Sequence, residues 1–183
     1  MHDGMLAGGL NKLNGVIMTK LKLHGNDIHT RGSVPDIGSL VHDFTMVKTD
    51  LSEVTLSSFK QKNKILNIFP SVDTGTCAKS VIRFNQEATD FPDTVVINLS
   101  MDLPFAQKRF CGAEGITNVE MGSLFRSDFF KYLPIEFIDG PLKGLCSRVV
   151  LVINDQQEIK YAEQVLEVTD EPNYDVILNA LKN

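Results

Sequence analysis

The sequence predicts a single α/β domain, a three-layer α/β/α sandwich with an N-terminal β-hairpin. Three observations predict it. Strand-like and helix-like segments alternate along the chain, which puts helices on the faces of a mostly parallel sheet. The apolar run Lys64-Ile-Leu-Asn-Ile-Phe-Pro70 leads into a loop, after which Cys77, Val81, Phe84 and Ala88 recur at helical spacing. Near the C-terminus, two β-branched runs flank Asn154-Asp-Gln-Gln157 and precede a last apolar-periodic segment. At 183 residues and 43% hydrophobic content, the chain has the length and apolar content of one well-sized core.

Each element follows in order. Residues 1–17 lack a basic n-region and a convincing apolar stretch with a cleavage site, so they do not read as a signal peptide. They are expected to be a poorly ordered extension, with the domain spanning 18–183. Residues 20–23 and 27–30 around Gly25-Asn26 suggest a short hairpin. Residues 44–47 and 64–69 read as strands, with a short helix or turn at 56–59 between them. A loop over 71–77 then opens a helix running to about Asp90. Residues 94–100 form a strand; Asp102, as the expected cap, and Pro104 start the next helix, with Gly112 a possible stop. A helical piece is expected at 127–132, a strand pair at 148–154 and 159–165, and a closing helix at 173–181. The order β-α-β-α-β-β-α after a hairpin is that of a thioredoxin-like fold.

Composition narrows the function. A net charge of −5 argues against a nucleic-acid surface, and Lys60, Lys62 and Lys64 read as a solvated strand edge. No run approaches the ~18 apolar residues of a membrane span. Three cysteines are an odd count and no disulfide framework, so they are reactive or buried thiols in a non-secreted, cytoplasmic protein. His2, His24, His29 and His42 show no ligand spacing with the cysteines, so neither metal nor cofactor is expected. The chain has no Cys-x-x-Cys of a general disulfide oxidoreductase and no Gly-x-Ser-x-Gly of a hydrolase.

The informative residue is Cys77. It falls in the first turn of its helix, where unpaired N–H groups and the helix dipole favour an anion. The thiolate is the reactive form of cysteine. Cys111 follows 34 positions later and late in another helix, where the dipole disfavours a thiolate. The two thiols should therefore differ, with Cys77 the nucleophile and Cys111 a thiol until it attacks an oxidised partner.

Phe69-Pro-Ser-Val-Asp-Thr-Gly-Thr-Cys77, Asp102-Leu-Pro-Phe-Ala-Gln, Arg109-Phe-Cys-Gly-Ala-Glu-Gly115 and Gly140-Pro-Leu-Lys-Gly-Leu145 resemble the bacterial thiol peroxidases, which are atypical two-cysteine peroxiredoxins. The resemblance runs from about Lys20 to the C-terminus and includes the cysteine spacing. It implies an antioxidant enzyme that reduces hydrogen peroxide and organic hydroperoxides to water and alcohols. Cys77 is then the peroxidatic cysteine, passing through a sulfenic acid, and Cys111 the resolving cysteine that closes a disulfide with it. Thr74 is implied to hydrogen-bond the sulfur and the peroxide, Pro70 to shield the sulfur from water, and Arg148 to stabilise thiolate and peroxide. The resemblance also implies thioredoxin as the reductant, no cofactor, and a homodimer.

The chain departs from the family pattern in its N-terminal stretch and in Cys146, which strand alternation puts on the same face as Arg148. Cys146 is expected to be a small buried hydrophobe. Asp73 reads as a turn or cap residue. A redox-sensing interaction protein using the same disulfide is the competing function class, and sustained peroxide turnover separates the two.

Overall fold

The protein is described here by a computed structural model covering residues 10–13 and 16–182. Leu10–Leu13 (β1), Val16–Leu23 (β2) and Asn26–Thr30 (β3) form a three-stranded antiparallel sheet. Of the expected loose extension, residues 1–9, 14 and 15 lie outside the described residues; Leu10–Leu13 pairs with β2. The β2–β3 turn comes one residue earlier than expected, at His24-Gly25, because Leu23 pairs with Asn26. Both turn residues are left-handed, at φ 51° and 77°. That geometry matches the twist of the flanking strands.

Seven further strands make the central sheet: Thr45–Val47 (β4), Glu53–Thr55 (β5), Asn63–Ile68 (β6), Thr94–Ser100 (β7), Glu120–Ser123 (β8), Val149–Asn154 (β9) and Ile159–Gln164 (β10), in the order β10-β9-β6-β7-β8-β4-β5. Three α-helices are Gly75–Glu87 (α1), Pro104–Glu114 (α2) and Tyr174–Ala180 (α3). β6, β7 and β8 are parallel neighbours, so the crossovers through α1 and α2 progress in one direction. Right-handed crossovers then put both helices on one face. Packing agrees: Phe84 of α1 and Ile177 of α3 bury against Ile65, Val96, Val150 and Val152. Phe110 of α2 joins Val81 of α1 and Met121 of β8. The other face, with Leu66, Ile68, Ile97, Leu99, Val149 and Leu151, is covered by Phe44, Leu56, Phe129, Leu133 and Ile135. These come from loops and the 3-10 turns Leu56–Ser58 and Phe129–Lys131. The third layer is thus made of short turns.

Four local expectations are corrected. β8 was not anticipated, since Glu120–Ser123 is four residues and contains Gly122. That glycine is demanded by packing: a Cβ there would meet Met46 Sδ at 2.6 Å and Leu99 Cδ2 at 2.8 Å. Asp102 does not cap α2; the cap is Leu103, with Pro104 in the first turn. Gly112 lies within α2, which ends instead at left-handed Gly115, φ 65°. Lys64 is no solvated edge: as the second residue of a central strand, between Val95 and Ile153, it is only 2% exposed. Burial pushes its pKa down, with Asp155 opposing.

Candidate active site

β6 is followed by Phe69 and Pro70, both buried, and the chain turns through Ser71–Asp73 into α1. Thr74 is the N-terminal cap of α1, in extended conformation (φ −106°, ψ 143°), so Cys77 is the third helical residue. First-turn N–H groups have no intrahelical partner, and their partial positive charge converges there. Cys77 is fully buried with Phe69, Val72, Val81 and Phe110. Its carbonyl accepts from Ser80 Oγ at 2.8 Å, which ties the turn to Asn67 of β6.

Arg148 immediately precedes β9 and is 2% exposed. Its Nη2 stands 3.4 Å from Cys77 Sγ. Nε and Nη2 both donate to the Val168 carbonyl, at 3.0 and 2.9 Å. Nη1 is buried and has no hydrogen-bond partner among the described residues. A fixed cation that cannot deprotonate therefore faces the sulfur with a pair of N–H donors to spare. No acidic side chain neutralises it through any described ion pair.

The other expected residues fall into place unevenly. Thr74 is exposed, and its hydroxyl donates to the Ser71 carbonyl at 3.0 Å rather than to Cys77. Its oxygen is left with acceptor capacity only. Cys111 is in the last turns of α2, half-buried at the edge of the cluster that holds Cys77. Burial pushes its thiol pKa up. Cys77, Cys111 and Cys146 are all free thiols.

Cys146 does not share the Arg148 face. It packs with Val149, Leu151 and Ile135 on the opposite side of the sheet. Strand alternation fails because β9 begins only at Val149, and Cys146 makes just an isolated bridge to Glu136. Burial raises its pKa strongly, with the charges of Asp102 and Glu136 adding to the effect. It is a core thiol.

Three positioning groups escaped the sequence reading. Asp102 accepts from Ser71 Oγ at 2.7 Å, Val72 N at 2.9 Å and Ser100 Oγ at 2.6 Å, clamping the loop that leads to Cys77. Asp73 pairs with Arg109 of α2, Nη2 lying 3.3 Å from each carboxylate oxygen, so it is an ion-pair partner. Thr76, beside the nucleophile, donates to the Thr169 carbonyl at 2.9 Å. A capping aspartate and a turn aspartate are the expected readings of such residues, and only the fold shows otherwise. Among the described residues no group of three or more His, Cys, Asp or Glu could hold a metal ion, and no helix is long and apolar enough to cross a membrane.

A family model described as Redoxin matches residues 36–178. Thiol peroxidase from Corynebacterium glutamicum is 44% identical over 164 residues, covering 90% of this chain and 99% of that protein. The crystal structure of a peroxiredoxin-like protein from Aquifex aeolicus matches with a TM-score of 0.84 at 33% identity, over 90% of this chain and 97% of that one. Thiol peroxidase from Chromobacterium violaceum matches in fold with a TM-score of 0.80 at 22% identity, over 89% of this chain and 95% of that one.

Proposed function

The chain belongs to the Redoxin family, and from that premise we propose that it is a thiol peroxidase acting through Cys77 and Cys111. The observation that carries the assignment is the Arg148 guanidinium 3.4 Å from a buried Cys77 at the start of α1. A helix start and an unneutralised cation both set positive potential at the sulfur, which suits a nucleophilic anion there. In the reaction, the Cys77 thiolate attacks the hydroxyl-bearing oxygen of a hydroperoxide. The O–O bond breaks, its electron pair leaving on the second oxygen, which takes up a proton as water or alcohol. Cys77 is left as a sulfenic acid.

The roles of the neighbours follow from their free valences. Arg148 Nη1, with no partner of its own, donates to the peroxide oxygen on which charge develops, alongside first-turn N–H groups. Thr74 accepts from the peroxide hydroxyl, since its own proton is committed to Ser71. Pro70, buried just after β6, is assigned to shield the sulfur from water and has no N–H of its own to present. Cys111, held as a thiol, then displaces hydroxide from the sulfenic acid; water leaves and a Cys77–Cys111 disulfide forms.

A dithiol reductant must return both cysteines by thiol–disulfide exchange, and we assign that role to thioredoxin. A reducing compartment suits three free thiols, hence the cytoplasm. Exposed Leu103 and Phe105 beside the site suit the homodimer that the family resemblance implies. The test is peroxide consumption coupled to thioredoxin and its reductase. Cys77→Ser should lose turnover. Cys111→Ser should consume about one equivalent and then stop as sulfenic acid. Sustained thioredoxin-dependent turnover by Cys77→Ser would sink the assignment, and a single equivalent from the parent would favour a redox sensor.

A further inference from the structure

Among the described residues no carboxylate pairs with Arg148. Its Nε and Nη2 are fixed by one carbonyl, that of Val168, and the next carbonyl, of Thr169, takes the hydroxyl of Thr76 beside Cys77. The stretch 165–170 is thus a strap, and its conformation sets where the guanidinium lies relative to sulfur. The strap has no helix or regular strand of its own beyond Gln164. It is held from outside by the N-terminal sheet. Lys22 N donates to Leu166 O at 2.7 Å and Val168 N to Lys22 O at 2.9 Å. The Val168 side chain buries with Leu21, Ile28 and Phe137.

One side chain locks this arrangement. Glu167 presents one carboxylate oxygen to His24 N at 3.0 Å, Thr169 N at 3.3 Å and Thr169 Oγ1 at 2.9 Å. Its other oxygen accepts from Gly25 N at 3.0 Å. The carboxylate therefore joins the β2–β3 turn to the residue whose carbonyl holds Thr76. Burial works against its charge, yet the Gly25, Thr169 and His24 donors bring its pKa down to about 2, so it is ionised throughout the working range.

We propose that Glu167 is a positioning residue for peroxide reduction: by pinning the 165–170 strap to the β2–β3 turn, it makes Arg148 present its guanidinium to Cys77 Sγ. The proposal rests on Cys77 being the sulfur that attacks peroxide. Glu167 touches neither sulfur nor Arg148, so its effect passes through the strap: the Val168 and Thr169 carbonyls, and the Val165 N–H that donates to the Arg148 carbonyl at 3.0 Å. Glu167→Gln keeps the shape and removes the lock. An amide has only one acceptor oxygen, so its NH2 group opposes either the Gly25 N–H or the three donors on the other side. The strap should relax, and misplacement of a charge-stabilising group by about 1 Å costs up to about 100-fold in rate.

The experiment measures kcat/KM for hydrogen peroxide and for thioredoxin in the parent, Glu167→Gln, Arg148→Met and the double variant, with Cys77→Ser as control. Glu167→Gln should lower the peroxide constant about tenfold and leave the thioredoxin constant within about twofold. The double variant should be no slower than Arg148→Met alone, because the lock has nothing left to position. Equal losses in both constants, no loss toward peroxide, or independent multiplication in the double variant would each overturn the proposal. Activity in Cys77→Ser would instead overturn the site assignment, whatever Glu167 does. Should Glu167→Gln not fold, Thr169→Val, which removes one donor from the same carboxylate, is read by the same criteria.

Discussion

Replacing Arg148 with Met separates electrostatics from packing at this site. The guanidinium lies 3.4 Å from Cys77 Sγ and both groups are buried. At that distance, and an effective dielectric of about 20, opposite unit charges attract by about 5 kcal/mol before desolvation is counted. Measured effects of one adjacent opposite charge are smaller, about 1.4–4 kcal/mol. Loss of that attraction, with the Nη1 donors, should slow attack on peroxide by about 10- to 1000-fold near neutral pH. The structural cost is different in kind. The Val168 carbonyl loses two donors, which costs about 1–3 kcal/mol for an unsatisfied buried acceptor. Removing a buried cation and filling its path with an apolar chain offsets part of it. The variant should therefore fold while being chemically slow. Stopped-flow mixing of the reduced protein with peroxide gives the rate, and urea unfolding gives the stability. A second-order rate constant within about threefold of the parent, in a folded variant, would refute an electrostatic role for Arg148.

Other predictions test the remaining readings. Cys146→Ala should leave peroxide turnover within a few-fold of the parent and cost about 1–2 kcal/mol of stability for a small core deletion, read by urea unfolding; loss of turnover would return Cys146 to the site. Glu167 has a folded pKa of about 2 against an ordinary 4.5, so its stabilising contribution is fully present above pH 4.5 and is lost as pH falls toward 2. The stability gap between parent and Glu167→Gln should accordingly shrink across that window, and a gap that widens on acidification would contradict the carboxylate lock. Hydrogen exchange on the dithiol and disulfide forms should show protection lost at 74–80 and 108–115 on oxidation, with β6 and β9 still protected. Equal protection in the two forms, with the disulfide confirmed by mass, would mean that the thiols meet without local opening.

The sequence reading reached furthest where signals are local. The β6 strand and α1 follow from an apolar run, Pro70 and helical spacing over fourteen residues or fewer, and they suffice to place Cys77 at a helix start. Arg148 is 71 residues from Cys77, and nothing near it states which group it faces; its position came from family resemblance. Asp102 shows the limit more sharply. A lone Asp before Leu-Pro is a good cap by local rules, but its acceptors are committed to Ser71 and Val72, some thirty residues upstream. Strand alternation misplaced Cys146 because it assumes a regular strand where the chain has not yet entered one. Lys64 was misread because a strand position, unlike a helix face, gives no sign of whether the strand is central. β8 was missed because its defining residue, Gly122, is chosen by contact with Met46 and Leu99 rather than by strand propensity.

In the proposed mechanism, the two halves of the reaction place opposite demands on Cys77. Peroxide attack needs the sulfur dry and held under Arg148; disulfide formation needs Cα atoms within about 7 Å of each other and sulfurs free to align. The contacts around Cys77 divide by whether they depend on the sulfur. The Asp102 clamp on Ser71 and Val72 involves no sulfur, so a change at Cys77 removes neither bond directly. The Asp73–Arg109 pair spans the two cysteine segments, but both side chains are over 60% exposed, and such pairs contribute about 0–1 kcal/mol. It can guide α2 against the loop without locking it. The attractions of Cys77 to Arg148 and to the positive start of α1 are the ones that depend on sulfur carrying charge. When the thiolate becomes a neutral sulfenic acid in the proposed cycle, both are lost, the Arg148 part being about 1.4–4 kcal/mol. The first helical turn, still tied by Thr76 to the Thr169 carbonyl and by Ser80 to the Cys77 carbonyl, then has fewer restraints. On the proposed cycle, oxidation thus weakens the restraint on Cys77 at the step where the residue must move toward Cys111, while the strands beneath stay fixed by packing that the chemistry does not touch.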